Sequence, residues 1–336
     1  MATQLLGIGG QSVELKLTKF DKRLLSRFRP QTVFMQFGKK ATVGRRQGKA
    51  ISFRRNEIIY SAGNAGSLAN ASAPGALTEG TFPAAIDATW TEVQATLSQY
   101  GQVILVSDLT EDQSIDDVAG EYTENLTEAM ADALDLLTRD VMVAGTNRQY
   151  ASIALTRGGA SGVGSGMHLN LAELREAART LKRNNIPPPD GHDGNYPVIT
   201  HPDAMYDLQG DSNIVNIFQY SPSDKRNSEL FNASFKDLPL GFRVFETTNA
   251  RIFASLGLSG ADVYVTHVLG KEAIGTIAYE SQPARIIKKE RGSGGATGDP
   301  LDQVASIGWK ASHTAVILAQ ANQVVIEHST SSKEAA

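Results

Sequence analysis

Cysteine is absent from the sequence. That excludes disulfide staples, cysteine-based zinc sites and thiol catalysis, and it fits a reducing compartment. No run of apolar residues approaches the ~20 needed to cross a bilayer as a helix. Residues Met1–Phe20 hold no apolar stretch of signal-peptide length, which argues against secretion. Between Asn56 and Ser107 there is no lysine or arginine. Familiar catalytic spacings are missing too. The glycine-rich loop Gly159–Gly166 precedes a helix, but it lacks the Gly-Lys-Ser/Thr ending of a phosphate loop and the G-x-G-x-x-G fingerprint; Gly270-Lys271-Glu272 fails for the same reason. The six histidines (His168, His192, His201, His267, His313, His328) form no metal spacing, and His192 with Asp193 reads as a turn pair. No serine lies in a G-x-S-x-G elbow. No catalytic, cofactor-binding or metal-binding residue is assigned, and no enzyme is expected.

What is present is ordinary globular material over 336 residues, with 41% hydrophobic and 20% charged content. The net charge is only −4, yet it is unevenly spread. From Lys16 to Arg55 stand thirteen bases, among them Arg45, Arg46, Lys49, Arg54 and Arg55, against the single acid Asp21. From Asp108 to Asp140 the sign reverses, and Asp116, Asp117, Glu121, Glu124 and Glu128 belong to a run opposed only by Arg139. A chain divided in this way tends to set opposite surfaces against each other, within one molecule or between neighbours.

Residues 1–48 read as an extended arm whose short apolar clusters suit another surface better than a core of their own. Ala50–Tyr60 and Trp90–Val106 read as strands, the second with a bulge or bend at Gly101, joined by a Gly/Ala/Ser-rich stretch containing Pro74 and Pro83. A lone hairpin has too little core to stand in water, so this excursion is expected to lie on something else, plausibly a neighbouring subunit. A long helix follows, capped by Thr110 or Ser114, with Ile115, Val118, Tyr122, Leu126, Ala129, Ala133, Leu137 and Val141 on one face; about thirty residues give a rod of roughly 45 Å. Gly145 and Asn147 end it. A second helix starts at Asn170 with Glu173 at capping-box spacing and stops before Pro187–Pro189. Val198–Thr200 reads as a buried strand and Pro202 as the first turn of the helix His201–Leu208. Strands Phe242–Glu246 and Val263–His267, a glycine-rich loop Glu290–Asp299, and strands Val304–Trp309, Thr314–Leu318 and Val324–His328 complete an α+β chain with a polar tail.

The order of these parts resembles the Hong Kong-97-type coat protein of tailed phages. Asp299-Pro300-Leu301-Asp302-Gln303, Ile307-Gly308-Trp309-Lys310 and Ala315-Val316-Ile317-Leu318 are similar to the C-terminal signature of the N-four-type major capsid family. His201-Pro202-Asp203 through Tyr206-Asp207-Leu208 resembles its central motif. Leu77-Thr78-Glu79-Gly80, Gln99-Tyr100-Gly101 and Ser107-Asp108-Leu109 resemble its excursion loop and the entry to the spine helix. The resemblance spans residues 50–328. It implies an N-terminal arm (1–48), an E-loop excursion (49–107), a peripheral domain with a spine helix (108–169), an axial α/β domain (170–270), a C-terminal return to the peripheral domain (271–328) and a disordered tail (329–336). It also implies a virion shell of hexamers and pentamers around double-stranded DNA, made in the host bacterial cytoplasm. A portal and scaffolding or decoration proteins are the expected partners, and a membrane is not. Relatives that cross-link do so through a loop lysine, which this excursion lacks. Arg45, Arg46, Lys49, Arg54, Arg55, Glu79, Asp116, Asp117, Glu121, Glu124 and Glu128 are the expected inter-subunit contacts. Two other readings stay open: an encapsulin-like compartment shell, and a soluble nucleic-acid-binding protein that uses the arm, with Phe20, Phe28, Phe34 and Phe37 stacking on single strands.

Overall fold

A computed structural model describes residues 32–56, 79–80, 82, 90–113, 117–192, 194–219, 237–238, 241–280, 283–291 and 303–331. Outside them lie most of the basic arm, the excursion tip with Pro74 and Pro83, the motif residues Leu77, Thr78 and Asp299–Asp302, and also Ser114, Ile115, Asp116, Asp193 and residues 332–336.

The strands are β1 (Lys39–Val43), β2 (Ala50–Asn56), β3 (Trp90–Thr96), β4 (Ser98–Ser107), β5 (Arg148–Tyr150), β6 (Tyr196–Thr200), β7 (Asp237–Leu238), β8 (Phe242–Glu246), β9 (Ile252–Phe253), β10 (Val263–Leu269), β11 (Ile274–Tyr279), β12 (Arg285–Lys289), β13 (Val304–Ile317) and β14 (Gln323–His328). The helices are α1 (Asp108–Gln113), α2 (Val118–Val143), α3 (Leu171–Arg183), α4 (Pro202–Gln209) and α5 (Ser212–Gln219).

The longest strand organises the first sheet. β13 runs without a break through all 14 residues, where the sequence suggested two strands. β12 and β4 both pair antiparallel with its first part, their registers overlapping, so they flank it on opposite sides. β11 pairs with its last four residues and carries β1 in parallel. Alternation along the central strand turns Ile307, Trp309 and Ala311 inward, against Leu126, Leu134, Tyr122 and Leu137 of α2.

The second sheet has the order β5-β14-β10-β6-β8-β7, with β9 added on β10. β6, β10 and β14 are buried throughout, with both faces covered, although β14 carries Gln323, Glu327 and His328 among its valines and isoleucine. α3 and α4 lay Leu171, Leu174, Leu181, Met205 and Leu208 onto it. Residues 271–328, expected as one return path, are therefore divided: β11, β12 and β13 join the first sheet, and β14 lies in the middle of the second.

α2 ties the sheets together. It is capped by Asp117, whose carboxylate accepts from the Gly120 amide at 3.0 Å, rather than by Thr110 or Ser114. The separate short α1 takes up the start of the expected rod. The 26 residues of α2 give a length of about 39 Å. Its far end places Met142 in a cluster with Ile199 and Leu269 of the second sheet and Ile274 of the first.

The end of the arm enters this cluster as well. Val33 and Phe34 are fully buried, so residues 32–48 belong to the body of the subunit instead of lying along its outside. Complete burial of an aromatic of this size contributes about 1.5–3 kcal/mol.

β2 and β3 form a separate two-stranded ribbon. The expected strand Trp90–Val106 breaks at Leu97, whose buried side chain and amide bond to Lys49 O (3.0 Å) mark where the chain crosses from ribbon to sheet. Gly101 forms no bulge. It stays in register opposite Lys310, and a Cβ there would lie 2.7 Å from Trp309 O, so glycine allows the close approach of β4.

Candidate functional site

The carboxylates of α2 and its N-cap, Asp140 apart, fall on one line. Asp117, Glu121, Glu124, Glu128, Asp132 and Asp135 follow at steps of four, three, four, four and three residues, which keeps them within a narrow sector of the helix. At the C-terminal end of this stripe Asp135 is fully buried and accepts from the backbone amides of Val33 (3.3 Å) and Met35 (3.1 Å). Burial pushes its carboxyl above the usual range, while the Met35 and Val33 amides pull it down. At Asp135 the end of the arm thus meets the acidic helix through backbone donors.

The other expected contact residues lie elsewhere. Arg45 and Arg46 sit exposed in the turn after β1, Arg46 with φ of 67°. The turn is tied to β11 by the Tyr279 hydroxyl, which donates to Gly48 O at 3.2 Å. Lys49 is exposed at its end, and Arg54 and Arg55 are exposed on the ribbon, Arg54 lying 3.9 Å from Glu92. Glu79 is exposed in a turn with Gly80. Among the described residues no ion pair joins Arg45, Arg46, Lys49 or Arg54 to the acidic stripe of their own subunit. Asp117 is occupied in capping α2.

Two apolar surfaces escaped the sequence reading. On the outer face of the first sheet Val103 and Leu105 are 63% and 66% exposed, flanked by Leu109 and Val304. The alternation of β4 could have flagged it, since Tyr100, Ile104 and Val106 turn the other way. The second surface is the loop after β5, where Ile153 is 82% and Leu155 73% exposed. Arg157 pins this loop. Its guanidinium bonds both oxygens of Glu327 (2.6 and 2.8 Å) and lies 3.7 Å over the Phe253 ring. The glycine-rich run is closed on itself, with Leu155 N bonding Ser161 O at 2.9 Å and Val163 N bonding Arg157 O at 3.2 Å. The amides of Gly162, Val163 and Gly164 are thus spent within the loop and not presented together as a phosphate cradle.

The histidines serve packing. His267 and His328 are fully buried; His267 meets the Phe34 ring edge-on, and His328 stacks on Tyr264 and bonds Thr266 at 2.9 Å. His313 bonds Thr138 at 3.0 Å, and the His201 ring accepts from the Asp203 amide to cap α4. Among the described residues no three His, Asp or Glu side chains converge on a possible metal position, and no helix is long and apolar enough to cross a membrane.

The arrangement is that of a surface-presenting subunit: a ribbon standing off the body, an acidic helix stripe and exposed apolar faces. Solved structures share the fold. The capsid of cyanophage P-SCSP1u superposes with a TM-score of 0.67 at 16% identity, over 95% of this chain and 94% of that one. The cyanophage Pam1 capsid gives 0.67 at 12% identity over 97% and 99%. The capsid of Helicobacter pylori bacteriophage KHP30 gives 0.68 at 10% identity over 97% and 100%. No curated protein matches the sequence. The fold is therefore the α+β coat fold of Hong Kong-97 type.

A family model described as phage capsid protein matches residues 90–323. The chain belongs to that phage capsid protein family, and its function is that of a major capsid protein, a structural subunit of the bacteriophage shell.

Proposed function

We propose that this subunit builds, without catalysing any reaction, an icosahedral head of hexamers and pentamers that encloses a double-stranded DNA genome. In this reading it is made in the host bacterial cytoplasm, is an N-four-type member of its family, and meets a portal and scaffolding or decoration proteins during assembly. The first sheet with α2 is its peripheral part, the second sheet with α3 and α4 its axial part, and residues 49–107 are the E-loop.

The observation that carries this reading is the β2–β3 ribbon. Its base is packed, with Ala95, Leu97, Ile51 and Phe53 against Val43 and Ile277, but beyond that Trp90 is 66% exposed on two strands with no third among the described residues. Such a ribbon gains a core only from another molecule. The bases Arg45, Arg46, Lys49 and Arg54, which form no ion pair with the acidic stripe among the described residues, complement together with Arg55 the Glu121–Glu124–Glu128 stripe of a neighbour, with Asp116, Asp117 and Glu79 at the margins of the contact.

Expression of the full chain, followed by sedimentation and negative-stain imaging, tests the reading: closed particles of many megadaltons are expected, and a stable monomer would refute it. Nucleic acid inside the particles separates a phage head from an encapsulin-like shell. Reversal of Arg45, Arg46, Arg54 and Arg55 to Glu should impair shell formation, most at low salt where screening is weak. Normal shells from that variant would sink the charge-pairing contact.

A further inference from the structure

One strongly charged surface has no part in the contacts above. Arg175, Arg179, Lys182 and Arg183 are all exposed on α3. Their spacing sets them within about 100° of one another around the helix. The opposite side of α3, with Leu171, Leu174, Ala177 and Leu181, is buried on the second sheet. The four bases line a cleft of about 590 Å³ floored by Ala178 and Phe242. Among the described residues Arg179 alone has a counter-charge, Glu176 at 2.6 Å, and both partners are well exposed, so the pair is weak. Arg175, Lys182 and Arg183 form no ion pair among the described residues.

Lys182 and Arg183 lie in the last turn, where a base offsets the negative end of the helix dipole. That accounts for two of the four. It leaves Arg175 and Arg179, one and two turns further back, without a structural task.

We propose that this face of α3 is a contact site for the phosphate backbone of the enclosed nucleic acid, an inference that rests on the shell reading above. Three of the four bases are arginines, whose planar fork donates two parallel bonds to a phosphate. Along the helix they rise over about 12 Å, long enough to follow several successive phosphates of one strand. The chain carries a net charge of −4 and would repel a polyanion on average, so attraction must come from a local concentration of this kind. With arginine and lysine heads on an open helix face, the contact reads charge and not bases.

The test is a salt series of anisotropy titrations with the full-length protein and short fluorescent DNA duplexes of two unrelated sequences. Each phosphate contact contributes about 0.9 to the slope of log affinity against log salt. The variant Arg175→Gln, Arg179→Gln, Lys182→Gln, Arg183→Gln should therefore lose about 3 to 4 of that slope, equally for both duplexes, with its circular dichroism unchanged. The double variant Arg175→Gln, Arg179→Gln should lose about half as much, and it serves if the fourfold change disturbs folding. Replacing the arm bases Lys16, Lys19 and Lys22 by Gln should leave the α3-dependent loss intact. An unchanged slope in the α3 variants, or no salt-dependent binding by the parent, overturns the assignment. Displacement of the duplex by polyglutamate at a lower charge concentration points to an acidic protein partner and overturns it as well. Particles of the parent are scored by negative stain in the same preparation: DNA binding without shells refutes the shell reading and leaves the α3 contact standing.

Discussion

Glu327→Gln should be among the most damaging single changes available in this subunit. Glu327 is fully buried on β14 and serves two arginines at once. Arg148 reaches it from β5 at 2.5 Å and spends its other donors on Val143 O and Gly145 O (2.9 and 3.0 Å). Arg157 holds it with two bonds from the following loop. Both guanidinium groups are about three-quarters buried. A glutamine keeps the shape and removes the negative charge, leaving two like charges desolvated side by side. Breaking a buried ion pair in this way costs about 3–5 kcal/mol, most of it the penalty on the stranded charge. Urea unfolding of the full-length subunit, compared at equal m-values, reads that loss directly. Replacing Arg148, Arg157 and Glu327 together by Met removes the stranded charges and should recover much of it. If Glu327→Gln lies within about 0.5 kcal/mol of the parent, the range of a neutral surface change, the arginines are solvated and the pin does not exist.

Acid should destabilise the fold well before carboxylates are fully protonated. Burial, aided by the charges of Arg139 and Arg148, holds His267 at about 3, and burial holds His328 at about 4 against the pull of Ser329 O and Asp207. Both are lower in the folded than in the unfolded chain, so the unfolded state takes up protons first; their neutral forms impose no penalty above pH ~6.5, and stability falls from there toward pH 3–4. His328 alone accounts for about 3 kcal/mol over that window. Asp135, raised by burial, acts with the opposite sign and softens the decline. Unfolding measured across pH should show the fall, and a flat profile between pH 6.5 and 4 would refute the assignment. Separately, Val103→Lys with Leu105→Lys should leave unfolding within about 0.5 kcal/mol of the parent, since both side chains are largely exposed, yet block particle formation. Normal particles would remove this face of the sheet from the assembly contacts.

The elements whose pattern is local were legible in the sequence. Asn170 and Glu173 announced the start of α3, Pro202 that of α4, and the runs Val198–Thr200 and Val263–His267 their strands, which extend two residues further, to Tyr196 and Leu269. What failed depended on distant partners. Nothing between Trp90 and Val106 says that Leu97 is where the chain changes from ribbon to sheet, because the cause is pairing with β2 on one side and β13 on the other. Gly101 suggested a bulge, and only the Trp309 carbonyl across the strand explains it otherwise. The arm was read as an outlying segment because its bases dominate its composition; Val33 and Phe34, few but fully buried, decide where its end lies. The acidic run was visible as charge, but its use at Asp135 required knowing that Val33 and Met35 arrive there.

Buried polar groups in this protein mark junctions between distant stretches of chain. Asp135 joins the arm to α2 across a hundred residues, Glu327 joins β14 to the loop after β5 across about 170, and Thr138 joins α2 to β13 through His313. Each would be costly if its partners were absent, and each is satisfied by partners that only this arrangement brings together. Apolar contacts at the same junctions would tolerate sliding, as packed methyl groups have no fixed register. Directional bonds at the joins therefore hold α2, the arm and the two sheets at set positions. That fixity is what repetition in a closed shell demands, because a small error in one subunit's angle recurs at every symmetry-related contact and the surface fails to close. These groups are spent on such joins, out of reach of solvent.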